Sequence, residues 1–128
     1  MVIIDTSVWI EAYKQRSSKA ASEVARLIET DEAAIVGIVL AEMLRGARNQ
    51  QEFEDMTVEL LAADYLEDDI NTWTRASEIL IELKRQGQVI PIQDALIAAH
   101  ALRGPHSVYT TDQHFRRVAG LALHEPTS

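Results

Sequence analysis

The sequence predicts an α/β fold with a parallel central sheet, because short β-branched runs alternate with longer amphipathic stretches along the chain. The 128 residues are 47% hydrophobic and 25% charged, which is typical of one globular domain with a core of its own. No internal repeat or linker divides the chain. We therefore expect a single domain over residues 1–128, in which residues 125–128 form a frayed tail.

The predicted strands are short. The first is VII at 2–4, three β-branched residues that lead directly into Asp5. A carboxylate at the end of a buried strand loses hydration and therefore needs a partner. The further predicted strands are AAIVGI at 33–38, DYLE at 64–67, SVYT at 107–110 and LAL at 121–123.

The predicted helices follow capping residues or carry apolar side chains three and four positions apart. Thr6 is predicted to cap the first helix, and Gly87 to end the longest one, at 69–86. The apolar stripe of that longest helix is predicted to be Trp73, Ala76, Leu80 and Leu83. The other predicted helices begin at Ser17 or Ser18, at 39, at 50, after Pro91 and at Asp112.

Composition excludes several classes of protein. The chain has no cysteine, so disulfides, thiolate metal sites and cysteine nucleophiles are excluded. Its N-terminus lacks the basic and apolar segments of a signal peptide, and no apolar run reaches the ~20 residues of a membrane span. We therefore expect a soluble, cytoplasmic protein. The net charge of −8 argues against a general nucleic-acid binder unless clustered acids hold divalent cations.

Four acidic residues stand apart from the solvated ones. Asp5 and Asp112 follow predicted strands, whereas Glu42 and Asp94 lie near the start of apolar helices, in GIVLAEML and QDALIAAHAL. In a parallel sheet, the carboxyl ends of strands and the first turns of the following helices meet at one edge. The sequence therefore predicts that four carboxylates converge on one crevice.

Converging carboxylates repel one another, and a hard divalent cation such as Mg²⁺ or Mn²⁺ removes that repulsion. A metal site is the favoured interpretation of the four acids together. A helix cap or a salt bridge remains an alternative for each acid alone. It is strongest for Asp112, which stands where a short helix is predicted to begin.

The same acids lie in four blocks that resemble the PIN-domain ribonucleases and, among them, the VapC toxins of toxin–antitoxin pairs. The blocks are VIIDTSVWIE, LAEMLRGA, DALIAAHAL and VYTTDQHFRRV, in the family's order along essentially the whole chain. Two positions depart from the family pattern. Gly37-Ile38-Val39 stands where relatives often have Ser or Thr, and Thr111 stands where they often have Asn. Neither departure removes an acid.

The resemblance implies a three-layer α/β/α sandwich around a mostly parallel sheet of four to five strands. It also implies a metal-dependent endoribonuclease that cuts single-stranded segments of RNA. Asp5 and Asp94 would be the primary ligands of Mg²⁺ or Mn²⁺, and Glu42 and Asp112 would complete the site directly or through water. One ion and two ions are both compatible with this set of ligands.

Further residues take roles from their position near these acids. Ser7 and Thr110 are expected either to orient ligands or water, or to serve as local caps. Arg45 and Arg116 lie one turn beyond Glu42 and Asp112, where they would contact RNA phosphates or form salt bridges with the site acids.

The resemblance also implies partners. Such toxins are typically homodimers that a small antitoxin silences by wrapping the toxin and plugging its acidic site. The apolar stretches around residues 9–13 and 53–61 are candidate surfaces for the antitoxin, although both could instead face the core.

Several residues and two other enzyme classes bear on the interpretation of the acids. We expect His100 and His114 to lie outside the site, and Trp9, Trp73 and Tyr109 to pack in the core. Haloacid-dehalogenase-like phosphatases need a second Asp where this chain has Ser7, and receiver domains need a lysine late in the chain that is absent here. A non-catalytic interaction module with an acidic metal-binding pocket remains the alternative.

Overall fold

A computed structural model describes residues 1–127, in which four strands form one sheet whose neighbouring strands are all parallel. The strands are β1 (Val2–Ile4), β2 (Ala33–Val36), β3 (Asp64–Leu66) and β4 (Ser107–Tyr109). Their order across the sheet is β3-β2-β1-β4. Ile3 of β1 stands opposite Ala34 of β2 on one side and Val108 of β4 on the other. The predicted α/β class with a parallel sheet is confirmed.

Helices make up most of the connections between the strands. The α-helices of residues 1–127 are α1 (Thr6–Lys14), α2 (Lys19–Glu29), α3 (Gly37–Leu44), α4 (Gln50–Leu60), α5 (Ile70–Arg85) and α6 (Ile92–Arg103). A 3₁₀ helix, Gln113–Arg117, follows β4. None of these helices is both long and apolar enough to cross a membrane.

The strand order gives the three layers. Each connection between successive strands holds two helices, and such connections between parallel strands are right-handed in almost all proteins. The chain moves outward from β1 to β2 and β3, so α1 to α4 cover one face of the sheet. It then returns past β1 to β4, so α5 and α6 cover the opposite face.

The centre of the sheet is apolar because helices cover both of its faces. All seven residues of β1 and β2 are buried. Helix α6 is buried along most of its length, from Asp94 to Ala101, and four of those eight positions are alanines, Ala95, Ala98, Ala99 and Ala101. Small side chains allow the helix to approach the sheet closely, and this fixes the position of Asp94 in the first turn.

Several predicted boundaries differ from the structure. The second strand ends at Val36 instead of residue 38, because Gly37 already begins α3. The stretch predicted as a last strand contributes one isolated parallel bridge, Leu123 to Val108, so the named sheet has four strands. Asp5, and not Thr6, caps α1: its backbone is extended and its Oδ1 accepts a hydrogen bond from the Thr6 nitrogen at 2.8 Å.

The predicted apolar stripe of α5 was wrong at Trp73, whose side chain is 47% exposed. The capping box at the start of α5 explains the difference. Asp69 and Thr72 exchange hydrogen bonds there, and Thr72 is fully buried. The buried face of the helix therefore begins at Thr72 and continues through Ala76, Ile79 and Leu83.

The end of the described chain is bound to α2. Glu23 is buried and accepts hydrogen bonds from Arg26, from His124 and from the backbone and side chain of Thr127. The Thr127 hydroxyl lies 2.8 Å from Glu23 Oε1. Within the segment expected to be a frayed tail, Thr127 is thus hydrogen-bonded, and Ser128 lies outside the described residues.

Candidate active site

The site lies at the edge of the sheet where β1 and β4 end. The Asp5 nitrogen donates a hydrogen bond to the Tyr109 carbonyl at 2.9 Å, so the residues that follow these two strands are neighbours. Helix α3 follows β2 directly, and α6 begins at the same edge with Asp94 in its first turn. The topology therefore places candidate acids from four separate parts of the chain at one edge.

Asp5 is held in place by three donors. Its carboxylate accepts hydrogen bonds from the Thr6 nitrogen at 2.8 Å, from the Ser7 hydroxyl at 2.8 Å and from the Thr110 hydroxyl at 2.7 Å. The residue is 6% exposed. Asp5 is thus a buried, oriented carboxylate whose partners are polar groups without positive charge.

Ser7 and Thr110 join the two strand ends. The Thr110 hydroxyl, which donates to Asp5, also accepts a hydrogen bond from the Asp112 nitrogen at 2.9 Å. The Ser7 hydroxyl accepts one from the Thr111 nitrogen at 3.2 Å. The two hydroxyls therefore contact Asp5 and the segment that carries Asp112, which exceeds what a local cap requires.

Asp94 carries the clearest electrostatic signature of the site. Burial raises the pKa of its carboxyl, and the charges of Asp5 and Asp112 raise it further, against the opposing hydrogen bond from His114. Asp94 therefore lies near enough to Asp5 and Asp112 for both of their charges to act on its carboxyl group.

Glu42 approaches the crevice from α3. Its Oε1 accepts a hydrogen bond from the Thr6 hydroxyl at 3.2 Å, which connects it to the first turn of α1 beside Asp5. The side chain is partly exposed, so its second carboxylate oxygen can turn toward a ligand.

Asp112 combines both predicted roles. It caps the 3₁₀ helix, because its Oδ1 accepts a hydrogen bond from the His114 nitrogen at 2.9 Å. Its Oδ1 also lies 3.1 Å from His114 Nδ1, the nitrogen that contacts Asp94, and its charge acts on Asp94. A helix cap and membership of the acidic cluster are therefore compatible in this residue.

His114 is the site neighbour that sequence reasoning missed. Its Nδ1 lies 3.0 Å from Asp94 Oδ2 and 3.1 Å from Asp112 Oδ1. The signal was present in the sequence: a residue two positions after a capping Asp falls in the first turn of the capped helix, beside the cap's side chain. His100, by contrast, is hydrogen-bonded to Asp68 and lies outside the crevice, as expected.

The two arginines considered for RNA contact are exposed at the periphery. Arg45 caps the C-terminus of α3, and Arg116 lies in the 3₁₀ helix. Within residues 1–127, neither makes an ion pair.

Trp9 and Tyr109 are buried, as expected for core residues.

A groove of about 1010 Å³ begins beside Glu42 and runs between α1, α3 and α4. Met43 and Met56 line its inner part, and Ile10 is 40% exposed in it. Its charged lining residues are Lys14, Arg16, Glu42, Arg48, Glu52, Asp55 and Glu59. The stretches 9–13 and 53–61 each contribute both to this groove and to the core.

The chain is similar to known proteins along nearly its whole length. A family model described as PIN domain matches residues 2–121. The chain is 32% identical over 124 residues to the VapC ribonuclease Mb1587 of Mycobacterium bovis, and the match covers 93% of this chain and 92% of the relative.

Solved structures share the fold. One is VapBC-1 from nontypeable Haemophilus influenzae, with a TM-score of 0.82, 24% identity and full coverage of both chains. Another is VapBC-5 from Mycobacterium tuberculosis, a member of the VapBC family of toxin–antitoxin systems, with a TM-score of 0.61 and 25% identity over 94% of this chain and 91% of that one. The three-layer fold implied by the resemblance is confirmed.

Proposed function

The chain belongs to the PIN-domain family and, within it, to the VapC ribonucleases, and from this premise we propose that it hydrolyses RNA phosphodiester bonds with a carboxylate-bound Mg²⁺ or Mn²⁺ as the toxin of a toxin–antitoxin pair. The observation that carries the proposal is the group of Asp5, Asp94 and Asp112, close enough that two of the charges raise the pKa of the third.

The residues of the crevice fit a hard divalent cation. Their donors are carboxylate oxygens from separate elements, and no lysine or arginine is paired with them in the described chain. Asp5 and Asp94 would be the primary ligands, and Glu42 and Asp112 would complete the site directly or through water. A bound Mg²⁺ or Mn²⁺ supplies Lewis-acid stabilisation of the phosphate and lowers the pKa of a water molecule.

The chain's own groups position the reaction. The hydroxyls of Ser7 and Thr110 fix the Asp5 carboxylate, so this ligand needs little reorganisation when an ion or a substrate binds. Arg45 and Arg116 are exposed, lie one turn beyond Glu42 and Asp112 in the sequence, and would bind phosphates of single-stranded RNA. Their contacts give affinity without base specificity.

We propose that the cognate antitoxin occupies the groove that begins at Glu42. The groove combines apolar side chains such as Ile10 and Met56 with charged residues of both signs, which suits an amphipathic helix with a charged edge. Because the groove reaches Glu42, a segment bound along it would also close one side of the crevice.

The test is cleavage of a panel of structured RNAs by purified protein, with Mg²⁺, with Mn²⁺ and with a chelator. Asp5→Asn is the main variant, because asparagine keeps the helix-capping ability of aspartate but removes its charge. Glu78→Gln, on the exposed surface of α5, is the matched control. We expect cleavage by wild type and the control with either metal, and none with chelator or with Asp5→Asn.

Two results would argue against the proposal. Cleavage that persists unchanged in Asp5→Asn would identify a contaminating nuclease. Absence of cleavage by wild type, after removal of any copurified antitoxin, would favour the non-catalytic module with an acidic metal-binding pocket. The ribonuclease relatives support the catalytic interpretation over that module.

A further inference from the structure

We propose that His114 is a nitrogen ligand of the divalent ion, and that it makes this site selective for Mn²⁺ over Mg²⁺. The inference rests on the proposed function, because it concerns the same ion, and it adds a non-carboxylate donor to the four acids.

The geometry brings an imidazole nitrogen to the acids. Ligand atoms of Asp94, Asp112 and His114 all lie within 4.8 Å of one another, so a single ion can reach all three. In the structure, His114 Nδ1 lies 3.0 Å and 3.1 Å from oxygens of the two carboxylates. Among the hydrogen bonds within residues 1–127, none involves Asp94 Oδ1 or Asp112 Oδ2. Each carboxylate therefore keeps one oxygen available for an ion.

The position of His114 is set by its neighbours. Asp112 caps the 3₁₀ helix through the His114 nitrogen, and Phe115 is buried at 1% exposure, which anchors the same short helix in the core. These two contacts hold the backbone of residue 114 at the rim of the crevice. Its side chain is 34% exposed, so the ring has room to adjust toward an ion.

The other acid-bound histidines show a different pattern. His100 and His124 each contact a single carboxylate, that of Asp68 and that of Glu23, and their side chains are 4% and 14% exposed. Among the residues that the structure describes, His114 alone lies between two acids. A solvent-facing histidine that only stabilised the fold would not need this second contact.

Coordination chemistry then gives the selectivity. Mg²⁺ strongly prefers oxygen ligands, whereas imidazole suits transition metals, and Mn²⁺ accepts mixed nitrogen and oxygen donors. A site made only of Asp5, Glu42, Asp94 and Asp112 would bind both ions through oxygen. One imidazole among the donors therefore raises the affinity for Mn²⁺ more than that for Mg²⁺.

The test uses the metal-free full chain and does not depend on catalysis. Mn²⁺ binding is measured by isothermal titration, and the bound ion by pulsed electron paramagnetic resonance, which detects a directly coordinated ¹⁴N nucleus. The proteins are wild type, His114→Ala, and His106→Gln as the control, because His106 lies at the opposite end of the sheet beside Met1. Circular dichroism verifies that each variant is folded.

We expect a ¹⁴N coupling in wild type and in His106→Gln, and its loss in His114→Ala. We also expect His114→Ala to weaken Mn²⁺ binding by at least about tenfold, with a much smaller effect on Mg²⁺. In wild-type protein labelled with ¹⁵N at histidine, the ¹⁴N coupling should be replaced by a ¹⁵N coupling. This result would assign the coupled nitrogen to histidine without any variant.

Bound Mn²⁺ without nitrogen coupling in wild type would overturn the inference and leave the nuclease proposal intact. Equal loss of Mg²⁺ and Mn²⁺ affinity in His114→Ala would overturn the claim of selectivity. Failure of the proposed function has separate signatures, which are wild-type protein that binds neither ion and wild-type protein that binds an ion but cleaves no RNA.

Discussion

The hydroxyl of Thr110 lies 2.7 Å from Asp5 Oδ2 and 2.9 Å from the backbone nitrogen of Asp112. One side chain therefore fixes a carboxylate at the end of β1 and the backbone of a second acid beyond β4. Both contacts use the same oxygen, as donor to Asp5 and as acceptor from Asp112. This arrangement couples the position of two candidate ligands without adding a charge.

Replacement of Thr110 by valine should weaken metal binding. Valine has nearly the shape of threonine but lacks the hydroxyl, so Asp5 would lose one of its three donors and the Asp112 nitrogen would lose its acceptor. Loss of a group that orients a metal ligand typically costs about 10–100-fold in metal affinity, and we expect a loss in this range for Mn²⁺ by isothermal titration.

Two variants control this experiment. Thr110→Ser restores the hydroxyl and should bind Mn²⁺ nearly as wild type does. Thr111→Val changes the neighbouring, exposed threonine and should have little effect. If Thr110→Val bound Mn²⁺ like Thr111→Val, the hydroxyl would have no part in ligand orientation.

The contribution of Asp94 to the stability of the metal-free protein should fall as pH rises above 3.8. The folded state raises the pKa of Asp94 above its ordinary value of 3.8, so between the two pKa values it binds more protons than the unfolded state does. Stability is therefore lost as pH rises from 3.8 through the folded pKa of Asp94. A divalent ion should restore it at neutral pH.

Asp5→Asn tests the cause of this raised pKa. The charge of Asp5 contributes to it, so the variant should lower the Asp94 pKa toward its ordinary value, as measured by NMR titration of ¹³C-labelled carboxyl groups. Glu78→Gln, far from the crevice on α5, should leave the titration unchanged. An unchanged Asp94 pKa in Asp5→Asn would show that the Asp5 charge does not contribute, which would leave burial and Asp112 as the causes.

The approach of Asp5, Asp94 and Asp112 to one another could be predicted from the sequence because parallel strands bring their carboxyl ends to one edge. That argument needs only the approximate position of each strand, which β-branched runs give well. The identity of the α1 cap could not be predicted in this way. Thr6 and Asp5 are both good caps, and the hydrogen bond from the Asp5 nitrogen to the Tyr109 carbonyl, a contact between distant parts of the chain, keeps Asp5 extended.

Tertiary contacts also explain why the exposure of Trp73 and the position of His114 were not predicted from the sequence. Trp73 fits an apolar stripe at helical spacing, but the rotation of α5 is set by its packing on α6 and by the buried Thr72 of its capping box. The contact of His114 with Asp94 joins residues 20 positions apart and requires the turn of the 3₁₀ helix. Spacing along one element predicts neither of these features.

Arg45 and Arg116 should contribute to RNA affinity through phosphate contacts. In an Asp5→Asn background, which should not cleave RNA, each Arg→Ala change should weaken binding of single-stranded RNA. It should also reduce the magnitude of the slope of log affinity against log salt concentration by about 0.7. With one phosphate contact fewer, RNA binding releases fewer counterions. Fluorescence anisotropy at several salt concentrations measures both quantities.

The matched control for these arginines is Arg75→Ala, on the outer surface of α5 near Glu78. It should leave the salt slope unchanged. If Arg45→Ala and Arg116→Ala also preserved the slope, the RNA would follow a different path across the protein. Loss of affinity for the antitoxin in Arg45→Ala, with RNA binding intact, would assign that residue to the partner instead.

Glu23→Gln should destabilise the fold and release the end of the chain. The Glu23 side chain is 2% exposed and accepts hydrogen bonds from Arg26 at 2.8 Å and 3.0 Å, as well as from His124 and Thr127. The amide keeps one acceptor oxygen but loses the charge, so buried donors become unsatisfied. Such a loss costs about 1–3 kcal/mol in the free energy of unfolding, measurable by urea denaturation at pH ~7.

The pH dependence distinguishes the charge of Glu23 from its packing. The Arg26 guanidinium holds the pKa of Glu23 well below its ordinary value of 4.5, although burial opposes this shift. The unfolded state therefore binds the proton more tightly, and the stabilisation is complete above 4.5 and is lost as pH falls below it. Wild type should lose stability in that acidic range, and Glu23→Gln should lose less.

Glu29→Gln, at the exposed end of α2, should follow wild type. Parallel curves for wild type and Glu23→Gln would mean that the carboxylate charge does not hold the C-terminal segment.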